Sequence, residues 1–361
     1  MKLLLLGEYS GLHSNLNLIC KEFGIDSFFS GSANGFRKLQ SDLSFESNIP
    51  GIFGRALTAL NPIFNLHKLT NFDVVQAITF EQFHPLINDW LLKCILKTAE
   101  RKFSLITGCD SFLNNYLSQK HVYPEICKEC LRFDLKMETC VTKKYRSVMS
   151  QNLLYTLSDR LIPMQIEYLN AFKDTCYTSK TTKVHRLPIY LKNFSPHKKK
   201  QINVRKKLRV LHGLNRYGFK GTRIVEECCA LLKKKNKSNI LIDIKGKMPL
   251  LEYLEIIKDY DLIIDQLYME SWGYNALFAM AQGIPVISCT TDNALNAIGI
   301  HFNPFISIKP NAESLLNTLE FLSENYKLRN EYSEKSFNFI FNEHSHETII
   351  NQFLKTWKTN L

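Results

Sequence analysis

The sequence has no apolar run approaching the roughly 20 residues that span a bilayer. The opening run Leu3–Leu6 is shorter than the roughly 7–15 residues of a signal-peptide core, and no small-residue cleavage pattern follows it. It is expected to be a buried first strand, in a cytoplasmic protein. The ten cysteines do not form a disulfide framework. They are scattered, and Cys228 and Cys229 are adjacent, which suits reduced thiols. Cys127 and Cys130 make one CxxC, with Cys109 and Cys140 apart from it. Structural zinc normally takes four ligands, often as two such pairs, so buried or idle thiols are the expectation. Internal repeats and low-complexity tracts are also missing.

What is present is enough apolar matter for a core. Hydrophobic residues make up 45% of the 361, and charged residues 22%. Disorder is excluded, and the length suits about two domains. The net charge of +12 is uneven. Residues 1–197 hold 23 Lys and Arg against 17 Asp and Glu, residues 208–361 hold 17 of each, and KKKQINVRKK (198–207) holds six bases and no acid. A basic half suits an anionic partner such as a membrane surface or a phosphorylated substrate. Nucleic acid is not expected, because the second half is neutral and no recognised binding motif occurs.

Short apolar strands alternate with helical patterns, as in a parallel α/β sheet. In the first half, strands are expected at 2–6, 73–78, 103–107 and 158–163. Helices are expected at 15–23, 87–99 and 165–172. The aromatic stretch 111–150 has no clear period. In the second half, strands are expected at 209–212, 239–244, 261–266 and 284–288. Helices are expected at 222–234, 248–259, after 270, at 314–324 and near 344–357. This gives two α/β domains, 1–195 and 205–340, with a cleft implied between them and the basic run as linker.

Ligands of open α/β sheets bind beyond the carboxyl ends of the strands, where helix N-termini offer free N–H groups. Three turns qualify. LNRYGFKG (214–221) holds Arg216 and Lys220, a fork and a point charge suited to a diphosphate. ESWGYNALFAMAQGIPV (270–286) offers Glu270 as an acceptor for sugar hydroxyls. Its Gly273 permits close backbone approach, Asn275 is a favourable N-cap, and the backbone from Tyr274 to Ala276 can donate N–H groups. GEYSGLH (7–13) carries Gly11 and His13, although a lone histidine is more often structural.

Together these segments resemble a family. Lys220-Gly221 followed by DLIIDQLYMESWGYNALFAMAQGIPV (261–286) is similar to the donor-binding domain of retaining glycosyltransferases of the GT-B fold, family four. Their pattern is a Glu, seven residues, a second Glu, then Ala-Met-Ala, Gly and Pro-Val. GEYSGLHSNL (7–16), SANGF (32–36) and FDVVQ (72–76) resemble a bacterial subgroup that builds surface polysaccharide. The resemblance implies an α/β GT-B fold, two Rossmann-like domains with parallel sheets facing each other across a cleft. It implies a nucleotide-sugar donor in the second domain and a glycan or lipid-linked acceptor in the first, and sugar transfer with retention. No metal or other cofactor is implied, since the basic pair and a helix dipole neutralise the diphosphate. Arg216 and Lys220 match the diphosphate positions and Glu270 the first Glu. Asp110, after a strand in the acceptor half, is the candidate base-like group. A terminal helix at about 341–361 is expected to return to the first domain. Lipopolysaccharide or polysaccharide assembly at the inner face of an anionic membrane would follow.

The departure is Phe278, which stands where the second Glu holds ribose hydroxyls. Another group, Asn275 or one in SCTTDN (288–293), then holds the ribose, or the donor is unusual, or the protein is a non-catalytic partner of a transferase. A nucleotide-sugar epimerase, which shares the architecture, is the rival among enzymes.

Overall fold

The computed structural model describes residues 1–31, 39–46, 49–119, 125–134, 145–194, 207–246 and 248–359. SANGF, Cys140 and the basic run except Lys207 lie outside the described residues. The chain divides into two units. One comprises Met1–Asn115, Val141–Tyr190 and His346–Leu361, and the other Tyr116–Cys140 and Leu191–Ser345.

The first unit holds strands β1 (Lys2–Leu6), β2 (Asp26–Ser30), β3 (Val74–Ala77), β4 (Arg101–Ile106) and β5 (Arg160–Pro163), in the order β2-β1-β3-β4-β5. All four pairings are parallel. Both faces of such a sheet are covered by helices, so its central strands read as unbroken apolar runs. Leu3 to Leu6 of β1 are accordingly all fully buried. Each contributes about 1.5–3 kcal/mol of transfer free energy.

The second unit repeats the plan with β6 (Leu208–Gly213), β7 (Ile240–Lys245), β8 (Leu262–Ile264), β9 (Val286–Ser288) and β10 (Ile306–Ser307). Its order is β10-β9-β8-β6-β7, again all parallel. Numbered from the first strand of each unit, both sheets run 2-1-3-4-5. The order reverses direction beside the first strand, so the switch points lie at β1/β3 and β6/β8, where such folds take ligands.

Several elements were not expected from the sequence, among them β2, β10 and the helices Gly51–Phe64 and Tyr326–Asn338. β2 and β10 are sheet edges, short and partly polar. The helix Tyr326–Asn338 buries Arg329, Ser333 and Ser336, a polar face with no hydrophobic stripe to detect. Parts of the aromatic stretch lie among the described residues. Ser111–Gln119 and Tyr145–Leu157 are helices, and Glu125–Glu129 runs into a π-helical turn, Cys130–Asp134.

That last segment groups with the second unit, where the expectation of a first domain spanning 1–195 differs. The reason is local packing. Phe133 lies 4.2 Å from the Tyr217 ring, and Arg223 pairs with the buried Glu129. A Cβ on Gly218 would sit 2.3 Å from the Ile126 carbonyl oxygen, so the backbones touch there.

The terminal helix His346–Lys358 groups with the first unit. Trp357 is fully buried and donates its indole N–H to Gln76 Oε1 at 2.9 Å. Gln76 Nε2 lies 3.2 Å from His13 Nε2, and His13 Nδ1 lies 2.7 Å from the Gly7 carbonyl. An amide nitrogen only donates, so Nε2 accepts and Nδ1 carries the proton. One directed chain of hydrogen bonds therefore ties the terminal helix to β3 and to the turn after β1.

Candidate functional sites at the two switch points

In the first unit the turn after β1 enters the helix Leu12–Glu22. Gly7 has φ +86°, in the left-handed region that favours glycine. The Glu8 carboxylate closes the helix N-terminus. It accepts from the Gly11 N–H at 2.8 Å and the Ser14 N–H at 2.9 Å. A carboxylate thus fills the place where an N-terminus would otherwise receive a phosphate.

His13, expected as a donor contact, is fully buried with both ring nitrogens engaged. Burial lowers its pKa to about 3, against a smaller raising effect of the Gly7 bond, so it is neutral. Asp110, expected as a base-like group, caps the helix that follows. It accepts from the Leu113 N–H at 2.7 Å and from the Tyr155 hydroxyl at 2.8 Å. Burial raises its pKa to about 6, with the hydrogen bonds opposing. It is only 1% exposed. Both residues are spent on structure.

What the first unit does offer is a cavity of about 910 Å³. Its floor is the carboxyl ends of the strands: Glu8 and Tyr9 after β1, Gly31 after β2, and Thr79, Glu81 and Gln82 after β3. The helix Gly51–Phe64 walls it with Ala56, Ala59 and Pro62. The carboxylates suit hydroxyl groups better than anions.

In the second unit the turn after β6 carries the short helix Tyr217–Lys220. Lys220 is buried, and its ammonium pairs with Asp265, fully buried at the end of β8. The other Asp265 oxygen accepts the Gly273 N–H at 2.7 Å. A Cβ on Gly273 would lie 3.5 Å from the Lys220 ammonium. Lys220, Asp265 and Gly273 thus form one cluster at the β6/β8 switch point. His212 stands beside it. It bonds Thr222 Oγ1 at 2.9 Å, and burial first, then the Lys220 charge, lower its pKa to about 4.

Arg216 lies over the Phe219 ring at 4.1 Å and donates to Cys130 Sγ at 3.3 Å. That thiol belongs to the lone CxxC. The sequence reading missed Asp265. Its signal was an acid at the carboxyl end of DLII, next to the strand whose turn holds the basic residues. It missed Glu8 as well, because the helix expected from residue 15 begins three residues earlier, at Leu12, within reach of that carboxylate.

The stretch 270–286 splits between core and site. Trp272 is an anchor, 5.2 Å from Phe305 and 5.8 Å from Phe339. Glu270 is half-buried, and its carboxylate accepts from Thr291 Oγ1 at 3.4 Å. Tyr274 opens the helix Tyr274–Met280 and packs 5.5 Å from Phe278. Asn275 is not the N-cap. Gly273 holds that position, and the Asn275 amide donates inward to the Gly213 carbonyl at 3.2 Å. A Cβ on Gly213 would meet that amide at 2.3 Å. Phe278 is 5% exposed and stacks on Phe194 at 6.2 Å, so it is a core residue.

Solved structures share this architecture. Anabaena HepE, in a crystal structure with UDP and glucose, matches with TM-score 0.63 and 14% identity over 99% of both chains. Sucrose-phosphate synthase from Thermosynechococcus elongatus matches at 0.61 and 10%, again over 99% of each. The UDP-GlcNAc 2-epimerase of Methanocaldococcus jannaschii, with UDP-GlcNAc and UDP, matches at 0.50 and 16%, over 99% of this chain and 100% of that one. The fold is α/β, of the GT-B class, with two five-stranded parallel sheets among the described residues. By sequence, residues 242–339 match the family model for glycosyl transferases group 1. No curated protein matches the chain.

Proposed function

We propose that this protein is a glycosyltransferase that moves a sugar, with retention, from a nucleotide-sugar donor to a glycan or lipid-linked acceptor in surface polysaccharide or lipopolysaccharide assembly. The observation that carries this is positional. The group 1 match over 242–339 contains Glu270 as well as Asp265 and Gly273, and the last two meet Lys220 at the β6/β8 switch point. The similar folds with UDP or UDP-glucose bound favour a uridine nucleotide.

In this reading Arg216 and Lys220 hold the diphosphate. Asp265 orients the Lys220 ammonium and offsets part of its charge, which leaves more of the neutralisation to Arg216. Glu270 receives sugar hydroxyls, while Gly273 and Tyr274 bring backbone close to the donor. No metal is required by this arrangement. Gly11, His13 and Asp110 are left out, because each serves the first unit's own structure. The acceptor uses the cavity over β1 and β3, at the inner face of a membrane. Excluding water around the donor would limit its hydrolysis.

Calorimetry against a panel of nucleoside diphosphates and nucleotide sugars tests the reading. One nucleotide is expected to bind selectively, at least about 10-fold more weakly in Arg216→Ala. No binding by folded protein would overturn it. Phe278 favours a second reading, a non-catalytic partner, because its buried ring offers the ribose no acceptor. Binding without transfer to any acceptor would support that. Interconversion of the donor sugar with no acceptor present would mark an epimerase.

A further inference from the structure

The helix Gly51–Phe64 reads GIFGRALTALNPIF and contains no acidic residue. Its small residues Gly54, Ala56, Ala59 and Pro62 line the cavity of the first unit. Phe53, Leu57, Leu60 and Phe64 are spaced four, three and four apart, so they form one stripe along the opposite side. That stripe is open to solvent, at 81%, 44%, 45% and 70% exposure. Apolar surface of this kind in a continuous stripe marks a contact that the isolated chain leaves unmade.

We infer that this helix beds its outer stripe into the headgroup and acyl boundary of an anionic bilayer, with the cavity behind it opening at headgroup level. Three features choose a bilayer over a protein. The stripe is one helix wide and would bury on the order of 500 Å², short of the roughly 800 Å² per partner of a stable protein interface. The helix lacks acid, and the turn Leu66–Lys68 that follows adds His67 and Lys68, which suits negative headgroups. The nearby carboxylates Glu46 and Glu81 line the cavity, on the far side of the helix from the stripe. A lipid-linked acceptor would lie with its chain along the stripe and its glycan over those carboxylates. This deepens the proposed function by naming the element that meets the membrane, and it rests on that reading for the acceptor alone.

The test is flotation of the full chain with vesicles of phosphatidylcholine, alone or mixed with phosphatidylglycerol. The variant is Phe53→Ser/Leu57→Ser/Phe64→Ser. The wild type is expected to float with the mixed vesicles and the variant to bind at least about 10-fold more weakly, with thermal unfolding unchanged because the side chains are exposed. Equal flotation of both proteins, no flotation of the wild type, or equal binding to neutral vesicles would overturn the inference. So would a wild-type dimer on sizing that the substitutions dissolve, which would assign the stripe to a second copy. UDP calorimetry on both proteins keeps the two claims apart. A wild type that binds UDP but does not float counts against the membrane helix only, and a wild type that floats but binds no UDP counts against the transferase reading only.

Discussion

The two units share a strand order but equip their switch points with opposite charge. In the first, the turn after β1 bends Glu8 back onto its own helix, and the cavity above it is lined by carboxylates. In the second, the turn after β6 supplies Arg216 and Lys220, and the helix Thr222–Lys234 has no acid in its first turn. The same topological position is thus anion-repelling in one unit and basic in the other. The fold fixes where a ligand goes, and a few side chains after the first strand fix its sign.

The largest expected effect comes from breaking the second unit's pair. Lys220→Met leaves Asp265 charged and fully buried, which costs about 3–5 kcal/mol. Urea unfolding would read this. Adding Asp265→Asn should recover part of the loss, since an amide oxygen can still accept the Gly273 N–H. A single-variant cost below about 1 kcal/mol would mean that the pair is hydrated in solution.

The next effect is read by pH. His13 and His185 in the first unit and His212 in the second have pKa values lowered to about 3, 4 and 4, each chiefly by burial. Unfolded, a histidine titrates near 6.5. Between that value and the folded pKa the unfolded state binds more protons, so stability falls as pH drops from about 6.5 towards 4. Asp110 works the other way. Its folded pKa of about 6 exceeds the unfolded value of about 3.9, so its contribution is present at low pH and lost as pH rises through about 6. The lowered pKa values of His13 and His185 should make the first unit acid-labile. Asp110→Asn should steepen that acid loss, measured by urea midpoints between pH 7 and 4. An unchanged slope would show that Asp110 is solvated.

How much of this was legible in the sequence follows from range. Leu3–Leu6 and the helix Thr222–Lys234 were readable because their patterns are local and apolar. β2, β10 and the helix Tyr326–Asn338 were not, because edge strands and polar buried faces leave no periodic trace. At the candidate sites, the turns were readable from the strand–turn–helix pattern. The partners that decide their chemistry were not, because Lys220 and Asp265 stand 45 positions apart. Phe278 was seen as a departure, but its packing on Phe194 depends on a residue far back in the chain. His13 kept its structural alternative in the sequence reading. Only its bonds to Gly7 and Gln76 separate the two roles.

A smaller effect sharpens the contrast in charge. Glu8→Gln keeps one acceptor oxygen for the helix N-terminus and loses the other along with the charge, a cost of about 1 kcal/mol. UDP binding should be unaffected, since the donor is assigned to the second unit. Stronger binding of a phosphorylated ligand in Glu8→Gln would show instead that the first unit had been an anion site held shut by its own carboxylate.

The smallest expected effect lies at the end of β6. Tyr253 is 8% exposed, and among the described residues its hydroxyl has no hydrogen-bond partner. It lies 3.7 Å from where a Cβ on Gly213 would stand, close to the amide of Asn275. Burial, then the Asp265 charge, push its ionisation well up, so it stays a neutral phenol. An unpaired buried hydroxyl costs about 1–3 kcal/mol, and deleting it removes that cost together with a little packing. Tyr253→Phe should therefore be neutral or slightly stabilising, within about 1 kcal/mol by urea unfolding. If stability holds but UDP affinity falls more than about 5-fold, the hydroxyl is a ligand contact. The second unit's site would then extend from the Lys220 cluster across β6 to the helix Leu250–Ile256, a hydroxyl donor where Phe278 supplies none.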